Sequence, residues 1–446
     1  MLRIQWFFVL FLAMALQAAQ APTAQALTID IYGPGQRQVN LCLLAPVAVA
    51  AKADAAPHLP EAAMRLQDLI RQDLSFLPFI KTIASSEVLG STSGATAQEI
   101  DFHALTLAQA DMAVSTAWIN EGQSMGDLEL RLFETFSGRR ILGKAYANVR
   151  PEQLPFIADR FCSLIMETLT GKSAFFTSRL AYVKEVGHSK EIYTVGPQGR
   201  EQLRVTRLGG KNLSPAWSFD GQKLAFTVLT PLGHRLGIWD KATGRIERKR
   251  LNCNMVISPA FLPDGHIAVA LDLSGKTNIY LLNDTLMPKK ALTHSRSIDV
   301  SPSFSADGKK MAFASGRYGN PMIFVLDMNS KEVRRVTYNG KYNTSPSISP
   351  DGRFIAYSGM LPEGHRIFVH DLATGRDTQV SFGPGNDEEP AFGPDGYFIA
   401  FSSSRSGVYQ LYLTTRHGDE AKRIPVEGPA LSPAWGDVDQ VLVRGR

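Results

Sequence analysis

The chain has 446 residues, 44% of them apolar and 20% charged, and a formal net charge of +5. That length allows two or three domains, and that composition is ordinary for a globular protein. The scattered positive surplus gives no support to a nucleic-acid partner, and three cysteines (Cys42, Cys162 and Cys253) are no disulfide framework.

Residues 1–26 read as a secretory signal peptide. Arg3 is the only charge, an apolar run follows from Ile4 to Leu16, and "QAAQAPTAQA" ends it with small residues. Cleavage is expected between Ala26 and Leu27. The run is short for a membrane span, which needs about 20 residues.

Residues 27–172 predict a small α/β domain. "LTIDIY" and "NLCLLAPVAV" read as strands, and "PEAAMRLQDLIRQDLSFL" has helical apolar spacing behind Pro60. "ADMAVSTAWI", "LELRLFETF" and "ILGKAYANV" predict three strands, with "FSGRR" turning between the last two. "PEQLPFIADRFCSLIMETLTG" is an amphipathic helix stopping at Gly171. Cys42 and Cys162 both fall in apolar patterns and are expected as buried thiols; a bridge between them is left open.

From residue 173 onward the sequence repeats. "SPAWSFDGQKLAFTV", "SPAFLPDGHIAVAL", "SPSFSADGKKMAFAS", "SPSISPDGRFIAYSG" and "EPAFGPDGYFIAFSS" place Asp-Gly pairs at 220, 264, 307, 351 and 395. A strand-rich period of 43 or 44 residues means a propeller. Asp-Gly makes the tight turn between two antiparallel strands. The proline is expected at the start of its strand, where a missing N–H does no harm. Small residues at Ala225, Ala268, Ala312, Ala356 and Ala400 are expected to let strands crowd a central axis. Each second half carries an aromatic (Tyr193, Tyr280, Phe324, Phe368, Tyr412), except that Gly237 breaks the series. Four strands fit in each period. There are six second halves but five complete first halves. "RLAYV" at 179–183 and "SPAW" at 432–435 supply the two halves of the sixth. The fold class is therefore a small N-terminal α/β domain followed by a six-bladed β-propeller over 173–446, closed by strands from both of its ends, which removes the sheet edges.

Motifs for chemistry fail on inspection. "TGKS" at 170–173 has Met166 where a phosphate loop needs glycine. "GSTSG" at 90–94 has Thr92 where a nucleophile elbow needs serine, and no G-x-S-x-G exists in the chain. His365 and His370 have no ligand partners at zinc spacing. "GNDEEP" at 385–390 is read as a solvated charge run or as an acidic rim for a basic peptide or Ca²⁺.

Taken together, the signal, the α/β domain, the S-P-x-[aromatic]-x-x-D-G-x-x-[apolar]-A-[aromatic] blades and the junction "LTGKSAFFTSRLAYV" resemble the TolB family, periplasmic proteins of the Tol-Pal system. The resemblance implies a non-enzymatic interaction scaffold that works without a cofactor as a periplasmic monomer. It implies binding of Pal, the peptidoglycan-associated lipoprotein, through the propeller, and hence peripheral association with the outer membrane. It also implies that the mature N-terminus engages the C-terminal domain of TolA, in support of outer-membrane integrity and cell division. The TolA segment would be Leu27, Thr28, Ile29, Asp30, Ile31, Tyr32 and Gly33, whose alternation suits strand addition. By loop position, the Pal face would comprise Lys211, Asn212, Asn254, Met255, Ser297, Asp299, Tyr342, Asn343, Asp387 and Glu388. Two rivals are a propeller hydrolase, for which residues 27–172 are too short and lack the elbow, and a Ca²⁺-dependent lactonase-type propeller, for which acids should come from several blades. The tail "GDVDQVLVRGR" departs from the family and is read as an extra strand or as part of the closing blade.

Overall fold

The structure, a computed structural model, describes residues 38–50, 58–90, 92–120, 126–273 and 275–436. The signal sequence, its cleavage point, Leu27–Gly33 and most of the C-terminal tail lie outside these residues. Among the described residues no helix is long and apolar enough to cross a membrane.

The first part is one mixed sheet with helices on both faces. β1 (Val39–Leu43) lies parallel between β3 (Ile80–Ala84) and β4 (Met112–Asn120). The expected strand "NLCLLAPVAV" is two strands, for β2 (Val47–Ala50) continues alongside β4 after a break at Ala45–Pro46. β5 (Gly126–Glu134) and β6 (Arg140–Val149) complete an antiparallel meander. Side chains of a strand alternate between its faces. Leu41, Leu43, Val114, Trp118, Leu128, Leu130 and Leu132 therefore point to α1 (Glu61–Leu74) and a long C-terminal helix, whereas Cys42, Ala113 and Phe133 cover a short helix, α2 (Phe102–Leu107). The long helix, α3 (Leu154–Thr170), ends at Gly171, whose φ of 72° is the left-handed conformation that caps it. Cys42 and Cys162 are free and buried, so they are not bridged. Burial pushes the Cys42 thiol up to about 11.

Six four-stranded blades follow. The first is formed by Arg179–Val186, Ser189–Val195 and Leu203–Arg204, and the strand Ala430–Gly436 completes it. Leu431 pairs with Val183 and Ala434 with Ala181, so the ring closes between the two chain segments that the repeat count had left over. The other blades span 211–249, 255–291, 299–335, 343–379 and 387–423.

Two expectations need correction. The prolines sit inside the innermost strands, not at their starts. Each follows a residue with φ of 50–55° (Ser214, Ser258, Ser301, Ser345, Glu389, Ser432), and the pairing register shifts there, as between Leu213 and Ala216. This β-bulge removes the need for the missing N–H and turns the proline to the central channel. The small alanines do not line that channel. Ala225 packs with Val256, Phe261 and Ile267 of the next blade, so its size sets blade-to-blade spacing. The aromatics stack across neighbouring strands, for example Tyr357 on Phe368 at 5.5 Å. Gly237 breaks this series because its cross-strand partner Phe226 lies over it; a Cβ there would sit 2.4 Å from the ring.

The α/β unit is seated on the propeller by a continuous apolar core. Phe175, fully buried, contacts Phe176 at 4.8 Å, Phe398 at 4.3 Å and Trp435 at 5.9 Å between ring centres.

Candidate functional site: the propeller face opposite the α/β unit

In an antiparallel four-stranded blade, the first and third turns share one face. The second turn and the loop leading to the next blade share the other. Contacts to the α/β unit come from the first kind: Tyr397 packs on Phe79, Lys422 Nζ donates to Ser75 O, and Arg200 pairs with Asp73. The loops leading into each blade therefore open on the opposite face. All ten residues proposed for Pal lie there, but they divide into two groups.

Asn212, Asp299, Asn343 and Asp387 are buried and engaged internally. Asn212 donates to Lys190 O, Asn343 to Asn339 O, and Asp299 and Asp387 are paired with Arg317 and Arg405 at 3.1 Å. They hold the loops and present nothing outward. Lys211, Asn254 and Tyr342 are exposed, and Met255, Ser297 and Glu388 are partly so.

Two repeated devices make these loops rigid. In four blades a hydroxyl accepts from the N–H of an isoleucine in the third strand: Thr206 from Ile192 N, Thr293 from Ile279 N, Thr337 from Ile323 N and Ser381 from Ile367 N. The residue before that isoleucine reaches the loop itself; Arg366, for example, donates to Gly383 O and Gly385 O at 2.6 Å. Sequence reading missed both. The signal was there in the recurring "VT", "LT" and "VS" 14 residues after each isoleucine.

What the face does present is apolar and aromatic. Tyr318 and Tyr338 are 70% and 69% exposed, and Ile298, Tyr342, Met360 and Val408 are also exposed. Arg335 lies over both Tyr338 and Tyr318, at 4.8 and 5.8 Å. Tyrosine and arginine dominate binding energy at protein interfaces.

The acidic run is largely engaged within the protein, with Glu388 partly exposed. Asp387 is held by Arg405, Tyr409 donates to Glu388, and Glu389 receives Ser432 N at 2.9 Å and Ser432 Oγ at 2.8 Å. Glu389 stands where other blades have serine because its longer side chain reaches the closing strand. Burial raises its carboxyl above the usual range. Among the described residues no three His, Cys, Asp or Glu side chains are placed to hold a metal. The central channel is a cavity of about 510 Å³ walled by Pro215, Pro259, Pro302, Pro346, Pro390 and Pro433.

On the other face, one of the five Asp-Gly turns differs. Asp395 is buried beneath the α/β unit, and its Oδ1 accepts from Tyr397 N and Phe398 N. Burial pushes its carboxyl up to about 6. A raised acid is penalised in its ionised form. The penalty is absent below about pH 4 and complete above about pH 6. Asp395→Asn should thus leave stability unchanged near pH 4 and raise it by about 1–3 kcal/mol at pH 8. Urea melts at the two pH values check this, and an equal effect at both would refute it.

The comparisons agree with this architecture. Residues 166–364 match the family profile described as the TolB beta propeller domain. The Tol-Pal system protein TolB of Nitratidesulfovibrio vulgaris is 43% identical over 320 residues, 70% of this chain and 71% of the relative. The TolB homolog of Chlorobium luteolum is 35% identical over 302 residues, 68% and 67% of the two chains. The crystal structure of TolB from Acinetobacter baumannii superposes with a TM-score of 0.74 at 21% identity, covering 90% of this chain and 97% of that one, which shows the shared fold. The chain belongs to the TolB family of the Tol-Pal system.

Proposed function

We propose that the protein is a non-enzymatic periplasmic scaffold that binds Pal through the propeller and TolA through its mature N-terminus, so coupling the two in support of envelope integrity and division. The observation that carries the Pal half is the propeller face away from the α/β unit. Its loops are fixed by internal hydrogen bonds, and Tyr318, Tyr338 and Tyr342 stand out from it, with the half-buried Arg335 against Tyr338. A preformed face with exposed tyrosines loses little entropy on docking. Of the ten residues first proposed, Lys211, Asn254 and Tyr342 remain the outward-facing ones, and Tyr318 and Tyr338 join them. The TolA half rests on family membership and on the alternating pattern of Leu27–Gly33.

The test is a pull-down from solubilised envelopes with three baits: 27–446, 34–446, and 27–446 carrying Tyr318→Ala and Tyr338→Ala. Recovery of Pal by both unmutated baits, of TolA by 27–446 alone, and a loss of Pal with the tyrosine variant are expected. Failure of 27–446 to recover Pal would overturn the proposal. Undiminished Pal recovery by the tyrosine variant would move the site off this face.

A further inference from the structure

The seam between the α/β unit and the propeller holds a cluster of charge away from the face proposed for Pal. Asp73, in the last turn of α1, is fully buried, and its oxygens have no hydrogen-bond partner beyond its ion pair with Arg200. Asp159, on α3, lies 3.0 Å from the same guanidinium, whose side chain is 18% exposed. Gln198 donates to Asp159 Oδ1 at 2.9 Å. Arg200 and Gln198 come from a turn of the first blade, and the two aspartates come from two helices of the other unit. Two carboxylates thus meet one guanidinium across the seam, Asp73 fully buried and Asp159 22% exposed at its rim.

We propose that Asp73, Asp159 and Arg200 form a proton-operated latch, seated while the two carboxylates share one proton and loosened when both are ionised. With one proton the cluster is neutral. Without it, one negative charge remains in a site that solvates it only at the Asp159 rim, and separating the two units hydrates it fully. The other charges facing Asp159 are the pair Glu201 and Arg179, linked at 2.6 Å on the propeller side. Glu201 opposes ionisation and Arg179 favours it, while Asp73 faces it from α1. Burial, then Glu201, pushes Asp159 up to about 8, against 3.8 for the free group. The raised acid makes the seated state strongest in acid. The advantage is lost progressively as pH rises from about 4 to about 8 and is gone above that.

Hydrogen exchange of the amides of the 196–201 turn, corrected for intrinsic rates, reads this opening in the chain 27–446. The opening equilibrium should rise by up to about tenfold per pH unit between pH 5 and 8, then level off. Asp159→Asn should flatten that slope, and so should Asp73→Asn, which leaves Asp159 a guanidinium to itself. Asp395 sits in another blade, and neither substitution touches its titration. A flat wild-type profile between pH 5 and 8 would overturn the latch. A wild-type slope kept by Asp159→Asn would do the same; should that variant not fold, Asp73→Asn decides by the same criterion.

Discussion

Phe175→Ala should lower stability by about 3–5 kcal/mol, the largest single effect we expect. Phe175 is fully buried, and its ring is shared by the sixth blade (Phe398), the closing strand (Trp435) and the linker (Phe176). Truncation leaves a cavity bounded by three separate elements, and these cannot collapse together without moving the α/β unit. Chemical unfolding should show a lowered midpoint and a first transition in which the α/β unit loosens from the propeller. Phe175→Leu keeps most of the volume and should cost under half as much. A loss below about 1 kcal/mol for Phe175→Ala would mean that the ring does not wedge the units.

Asp387→Ala should cost about 3 kcal/mol, from the breaking of a buried ion pair. Both carboxylate oxygens lie 3.1 Å from Arg405 Nη2, and Asp387 is fully buried. The estimate sits at the low end of its range because Arg405 is 17% exposed and keeps Ser403 Oγ and the Tyr412 ring as neighbours. Replacing both partners, Asp387→Leu with Arg405→Met, should recover most of the loss, since the cost lies in the stranded guanidinium. Denaturant melts of the single and double variants measure this. The same experiment separates two roles for Asp387. As an internal tie it governs stability, and the double variant is expected to restore the Pal capture proposed above together with the fold. As a direct contact it would leave the double variant stable and unable to capture Pal.

Legibility in the sequence followed the range of the interaction concerned. The blades were readable because each is built from local pieces: an Asp-Gly turn, a period-2 apolar pattern and a fixed repeat length. Ring closure was readable for the same reason, since counting half-repeats needs no coordinates. β3 and α2 were not foreseen: each is short, and each is stabilised by packing on β1 or Phe133, not by its own pattern. The proline bulge was misplaced because the dipeptide alone says that an N–H is missing and not where in the strand the gap falls.

The site shows the same division more sharply. Residue order placed Asn212, Asp299, Asn343 and Asp387 on the loops that lead into the blades, but side-chain direction decided that they turn inward to Lys190, Arg317, Asn339 and Arg405. Tyr318 and Tyr338 fall outside the repeated aromatic positions, and only the folded face shows them exposed. The sequence by itself determined the architecture, because turn chemistry and hydrophobic period act over a few residues and repeat. Tertiary structure alone decided which polar groups are spent inside and which charges meet across the seam, because Asp73, Asp159 and Arg200 come from three elements that nothing local brings together.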